Sequence, residues 1–239
     1  SGHSGIIRRR VLRTIGIGES TLDSLLGALM LEANPTIGLA AHTAQTDIRI
    51  TARAASAAEA ETMIDQMASR VAEVVGDYVY SSEADESIEA VVAALLARDG
   101  SDVSLLESNT AGAIAARLNS ARKAHGITPT WTVDMSDLPT PMQEIVQRVA
   151  DLPTQDAAVR LAHLAREAGG TALGMTVLGT SGKDEGVFGR ADGVTWIALT
   201  SADRERTIRV PYGGSDDYTI ARISNQALSL LWQNLKTAF

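Results

Sequence analysis

The chain has 239 residues, 45% of them apolar, with a mean hydropathy of +0.02 and a formal net charge of −8. It is long enough for one large or two small domains, and no apolar run approaches the roughly 18–20 residues of a membrane span. The absence of cysteine excludes disulfides, thiolate metal sites and a cysteine nucleophile, and the acidic balance argues against broad nucleic-acid binding.

In chain order, Ser1-Gly2-His3 reads as the scar of a cleaved tag and the basic start as that of a fragment. Arg8-Arg9-Arg10 leads into no apolar signal core, so the expectation is a cytoplasmic protein. The β-branched stretch Val11 to Ile17 predicts a strand closed by Gly16-Ile17-Gly18. Glu19-Ser20-Thr21 then opens a helix with Leu22, Leu25, Leu26 and Leu29 at helical spacing, stopped by Asn34-Pro35. Strands follow at Thr36 to Ala41 and Asp47 to Ala52. Ser56-Ala57-Ala58-Glu59 is a capping-box signature. The helix it starts carries an apolar stripe of Ala60, Met63, Ile64, Met67, Val71, Val74 and Val75, ends at Gly76, and leaves Tyr78 to Tyr80 as an edge strand. This β-α-β-β-α order gives a small KH-like α+β domain over 1–82. Its glycine turn lacks the GxxG that clamps RNA, and it holds seven Lys and Arg against nine Asp and Glu, so nucleic acid is an unfavoured partner. Ser81 to Asp85 forms a polar hinge.

From 83 to 239 the pattern is that of a three-layer α/β domain. A helix on Ile88, Val91, Val92, Leu95 and Leu96 closes at Asp99-Gly100, and Val103 to Leu106 follows as a buried strand. A helix then runs from Gly112 toward His125, so Glu107-Ser108-Asn109-Thr110-Ala111-Gly112 is a strand-to-helix turn. Its amides can face an anion or oxyanion, although Ser108 or Thr110 could equally be a plain helix cap. Four of the six prolines fall in 127–153, with a helix start at Thr140-Pro141. Thr154 caps a helix to Ala168 that ends at Gly169-Gly170. Thr171 to Leu178 is a second buried strand, and Gly179-Thr180-Ser181-Gly182-Lys183 a second turn of small and hydroxylated residues with a cation. Ligands bind beyond the carboxyl ends of strands in such sheets, which links the two turns into one site. The second turn is not a Walker A sequence, so a P-loop nucleotidase is excluded. A hairpin, Val194 to Thr200 with Thr207 to Tyr212, and an amphipathic helix on Ile220, Ile223, Ala227, Leu230, Leu231 and Leu235 complete the chain. The four histidines (His3, His42, His125, His163) show no metal spacing, and no metal or cofactor is expected.

Leu12-Arg13-Thr14-Ile15-Gly16-Ile17-Gly18-Glu19-Ser20 with Asn34-Pro35-Thr36-Ile37 resembles the central KH-like domain of the CinA (competence/damage-inducible protein) family. Asp85 to the end resembles that family's C-terminal domain, a nicotinamide mononucleotide amidohydrolase. The resemblance implies a missing N-terminal molybdopterin-binding-like domain, a homodimer and a pyridine-nucleotide ligand. Leu106-Glu107-Ser108-Asn109-Thr110-Ala111-Gly112 matches the family's AES-x-TGG signature at Glu, Ser, Thr and the last Gly. By that match Ser108 and Thr110 are the catalytic candidates, with Glu107, Gly112, Gly179, Thr180, Ser181, Gly182 and Lys183 around the ligand. The family's Tyr and Lys have no counterpart in Trp131 to Asp137, and its GxR motif reads Gly214-Ser215-Asp216. The expectation is therefore a degenerate deamidase-fold domain serving as a nucleotide-binding, dimerisation or interdomain module. An active amidase centred on Ser108 is the alternative.

Overall fold

A computed structural model describes residues 5–43, 45–124, 131–132, 153–180 and 193–236. They fall into two compact units, residues 1–87 and 88–239. The first is α+β and the second α/β, as the sequence pattern predicts.

The first unit runs β1 (Ile6–Thr14), α1 (Glu19–Met30), β2 (Thr36–His42), β3 (Gln45–Ala54), α2 (Ala57–Val75), a single 3-10 turn (Gly76–Tyr78) and β4 (Val79–Ser81). The strands form one antiparallel sheet in the order β2-β3-β1-β4. Leu12, Ile37, Ile48, Ile50 and Ala52 turn to one face, where Leu22 and Leu26 of α1 and Ile64, Met67 and Val71 of α2 bury them. β1 begins five residues before the predicted start. With that arginine-rich half included, β1 pairs along β3 from Ile6 opposite Ala54 to Thr14 opposite Thr46. There Arg10 reaches Asp65 at 2.6 Å and Glu61 at 3.0 Å on α2, so the cation lies on a helix-facing position without being stranded. Two residues of the predicted helix stripes, Leu25 and Val74, lie at the surface, 47% and 44% exposed. Both stand at the margin of the face that packs on the sheet, which is narrower than the sequence stripe.

The second unit runs α3 (Ile88–Arg98), β5 (Val103–Glu107), α4 (Ala113–Ala124), β6 (Trp131–Thr132), α5 (Gln155–Gly169), β7 (Leu173–Gly179), β8 (Thr195–Thr200), β9 (Glu205–Val210) and α6 (Asp217–Lys236). Its sheet has the order β6-β5-β7-β8-β9. The first three strands are parallel, and β8 and β9 run antiparallel to their neighbours. Every residue of β7 is buried, so both faces of the sheet are covered. On one face α5 packs Ala158, Leu161, Ala162 and Ala165 against Leu106, Leu178 and Ala198. Strand alternation sends Leu105, Val177 and Ile197 to the other face, where α3, α4 and α6 pack on one another and α6 meets β8 and β9. Thr154 caps α5 by accepting from the Ala157 amide at 3.2 Å, as its place in the sequence predicts. The Thr140-Pro141 helix lies outside the described residues. Among the described residues no helix is long and apolar enough to cross a membrane.

Candidate functional site

β5 and β7 are parallel neighbours, with Glu107 opposite Val177, so the turns that leave them open on the same edge of the sheet. The Ser108 amide extends the ladder one residue further by donating to the Val177 carbonyl at 2.9 Å. The chain then reverses through two left-handed residues, Ala111 at φ 48° and Gly112 at φ 82°, before α4 begins. Glycine takes that conformation freely, whereas alanine is held in it at a cost of about 1 kcal/mol.

What this reversal accomplishes is visible at Glu107. Its carboxylate accepts from the Thr110 hydroxyl at 2.7 Å, the Ile114 amide at 3.1 Å and the Ala115 amide at 2.9 Å. The flanking amides are satisfied locally, Ala113 on the Thr110 carbonyl and Ala116 on the Gly112 carbonyl. An N-terminus of a helix attracts an anion, and at α4 that anion is the protein's own side chain. Neither Ser108 nor Thr110 caps α4. The N–H groups of Asn109, Thr110 and Gly112 meet no acceptor among the described residues.

Ser108 instead ties the two strand ends together. Its Oγ accepts from the Gly179 amide at 2.9 Å and donates to the Gly179 carbonyl at 3.3 Å. Asn109, absent from the sequence-derived site, is the wider clasp: its Nδ2 donates to Thr195 Oγ1 at 3.1 Å and to the Gly214 carbonyl at 3.2 Å. Thr195 Oγ1 in turn donates to the Tyr212 carbonyl at 3.0 Å. The clasp fits around glycine at 179, because a Cβ there would stand 2.4 Å from both Asn109 Nδ2 and Thr195 Oγ1 and would push these side chains aside. Thr180 adds two main-chain links, its amide to the Val194 carbonyl and its carbonyl to the Gly214 amide. Of the predicted site residues, Glu107, Ser108, Thr110, Gly112, Gly179 and Thr180 thus belong to one assembly of the two turns. Ser181, Gly182 and Lys183 lie outside the described residues.

Asp216 Oδ1 accepts from the Thr219 amide at 3.0 Å and so caps α6. Partial burial pushes its carboxyl up, but the hydrogen bonds from Thr219 and from the Asp216 and Tyr218 amides outweigh that and hold it below the usual carboxylate range. Its Oδ2 is buried without a hydrogen-bond partner among the described residues. The Tyr212 hydroxyl is raised by burial, opposed by Arg222, whose guanidinium lies 4.3 Å from the Tyr212 ring centre. His163 is engaged by Glu205 at 2.6 Å, and His125 is outside the described residues. Among the described residues no group of His, Asp and Glu is placed to hold a metal ion.

A family model described as the damage-inducible protein CinA KH domain matches residues 9–81. A competence-damage inducible protein of Desulforudis audaxviator is 34% identical over 207 residues, covering 84% of this chain and 49% of its own. A CinA-like protein of Dictyoglomus thermophilum is 32% identical over 203 residues, covering 82% and 49%. The chain belongs to the CinA family. It spans about half the length of the curated CinA relatives it matches. A crystal structure of a CinA superfamily protein from Klebsiella pneumoniae shares the fold at a TM-score of 0.50 and 20% identity, covering 62% of this chain and 96% of that one.

Asn109 and Thr195 join the two turns but have no part in the sequence-derived site, and Gly214 entered it only through the Gly214-Ser215-Asp216 motif. The one signal for Asn109 was an amide side chain between two hydroxyls at a strand end. Its partners lie 86 and 105 residues away, a separation no local pattern encodes.

Proposed function

We propose that the second unit is a deamidase-fold domain that binds a pyridine nucleotide at the joined turns without hydrolysing it, and so works as a binding and interdomain module. The observation that carries this reading is the state of Ser108. A serine that attacks an amide needs a neighbouring base or a cation to make its oxygen nucleophilic. Here the hydroxyl is bonded to both polar groups of Gly179. The adjacent carboxylate of Glu107 is spent on Thr110 and two α4 amides. Asp216 stands where the family resemblance calls for an arginine, removing a positive charge from the site. The N–H groups of Asn109, Thr110 and Gly112 supply donors for a phosphate or a carboxamide oxygen, which is why binding is retained in the proposal.

The Glu-Ser-x-Thr-x-Gly match supports the other reading, an amidase that converts nicotinamide mononucleotide to nicotinic acid mononucleotide and ammonia. The two separate in one experiment: ammonia release from nicotinamide mononucleotide by the purified chain beside Ser108→Ala, with the melting temperature followed in parallel. The expected outcome is no ammonia and a rise in melting temperature with the nucleotide. Release that disappears in Ser108→Ala would replace the binding module with an enzyme. Neither release nor stabilisation would remove the nucleotide and leave a module that contacts only protein.

A further inference from the structure

Three strands of the second unit end on one edge of its sheet. β5 and β7 are parallel, and β9, antiparallel to β8 as β8 is to β7, runs the same way. The segment that leaves β9, Tyr212-Gly213-Gly214, is tied to the turns after β5 and β7. Asn109 donates to the Gly214 carbonyl, the Gly214 amide to the Thr180 carbonyl, and Thr195 to the Tyr212 carbonyl. α4 and α6 each follow a strand that ends on this edge, so both helices start there. They lie side by side: Arg117 Nη1 of α4 donates to Asn225 Oδ1 of α6 at 2.8 Å.

Arg222 stands three residues, about 4.5 Å along the helix, nearer to that edge than Asn225, and a helical side chain leans back toward the start of its helix. Its guanidinium meets the Tyr212 ring of the strand exit, 4.3 Å from the ring centre, and the Tyr218 ring one turn earlier on α6, at 5.6 Å. Tyr212 is buried and Tyr218 exposed, so the half-buried cation has an inner and an outer ring as neighbours. Ring contacts hold a guanidinium without spending its N–H donors. Among the described residues Arg222 makes no hydrogen bond and no ion pair. The helix arginines Arg70, Arg117 and Arg160, by contrast, each reach a carboxylate within 3.0 Å. Asp216, six residues before Arg222, is engaged by the Thr219 amide instead. In a chain with 29 acidic residues, a cation whose fork is held in place with its donors unspent is arranged for a partner from outside. The same edge carries the N–H groups of Asn109, Thr110 and Gly112, which meet no acceptor among the described residues.

We propose that Arg222 is the seat of a phosphate monoester at this edge, its fork taking two phosphate oxygens while the amides ahead of α4 face the third. A guanidinium matches phosphate and carboxylate alike in bidentate geometry. A carboxylate held that way has both oxygens on the fork and none left for the amides. A tetrahedral dianion presents oxygens to both sides at once, which selects phosphate. For the ligand's identity the inference rests on the nucleotide reading above: the monoester is the 5′-phosphate of the pyridine nucleotide. Arg222 thereby returns, from the second turn of α6, the positive charge that Asp216 takes away from its start.

The test is isothermal titration calorimetry of the whole chain at constant ionic strength, for the wild type, Arg222→Gln and Arg222→Lys. The titrants are nicotinamide mononucleotide, nicotinamide riboside, which lacks the phosphate, and inorganic phosphate. The wild type is expected to bind the mononucleotide more tightly than the riboside. Arg222→Gln should weaken the mononucleotide at least about tenfold, a loss of about 1.4 kcal/mol, and leave the riboside unchanged. Lysine, a point charge without the fork, should recover only part of that loss. Mononucleotide binding undiminished in Arg222→Gln would overturn the proposal and leave the nucleotide reading standing. An equal loss for mononucleotide and riboside would mark a structural role and overturn it as well. A wild type that takes up inorganic phosphate through Arg222 but neither nucleotide nor riboside would keep the seat and remove the nucleotide. Binding of none of the three would end both. Should Arg222→Gln fail to fold, the wild-type Arg222 Nε–H resonance decides: it is expected to shift on titration with inorganic phosphate, and an unmoved resonance overturns the proposal.

Discussion

At the amino-terminal ends of both α2 and α4 a glutamate carboxylate accepts main-chain amides, and the two helices come by it in opposite ways. In α2, Ser56 Oγ accepts from the Glu59 amide at 3.2 Å while Glu59 reaches back to the Ala55 amide at 3.1 Å, all within five residues. In α4 the carboxylate comes from the preceding strand: Glu107 reaches forward across a left-handed turn to the amides of Ile114 and Ala115. The first arrangement can be read from four letters. The second depends on Ala111 and Gly112 both having positive φ, which folds the strand's last side chain back over the helix it precedes. A glutamate beside a serine in a strand-to-helix turn resembles acid–base machinery in sequence, and here it carries the load of a cap.

The comparison breaks first at Glu107. Glu107→Ala deletes an ionised acceptor of three hydrogen bonds and is expected to cost the second unit about 3 kcal/mol, read as a lower urea midpoint. The α2 counterpart, Ser56→Ala, is expected to cost the first unit only about 1 kcal/mol. Equal losses at the two positions would mean that the strand-borne carboxylate is no more than an ordinary cap. Between them falls Gly179→Ala, whose new methyl must displace Asn109 or Thr195; about 2 kcal/mol is expected, with the Asn109 side-chain amide resonances shifting in NMR spectra.

The smallest effect is a change of pH dependence. Asp216 has a folded-state pKa below its unfolded value, so the stability it contributes is present above the unfolded value, near 3.9, and is lost as pH falls through the lowered one. Asp216→Asn should leave neutral-pH stability within about 0.5 kcal/mol, since asparagine caps nearly as well, and flatten the acid limb of the stability profile. An unchanged acid limb would show that the cap hydrogen bond to Thr219 does not set the carboxyl's titration.

Most elements were legible because each carries a local cause. Ser56 and Thr154 announce their helices by capping chemistry, and Ile48 and Ile50 mark one face of β3 by alternation. The first residues of β1 were not legible, since their pairing depends on the full length of β3 and on Asp65 and Glu61 of α2 to receive Arg10. In the candidate site, the residues of the two turns were found because small and hydroxylated side chains cluster at strand ends. Their roles were not. Whether Glu107 faces a ligand or a helix, and whether Ser108 is free or clasped, is decided by two backbone torsions and by Gly179, 71 residues away.

Asn109 sets an order on how the second unit comes into being. The turn after β5 is synthesised early, yet its Asn109 clasp needs Thr195 and Gly214, partners 86 and 105 residues downstream. Closing loops of that length is entropically expensive and waits for the sheet to bring the ends together. A chain emerging from the ribosome therefore carries its Glu-Ser-Asn-Thr turn unfinished until the β8–β9 hairpin has docked, making the edge where the two turns meet one of the last parts of the domain to acquire its shape.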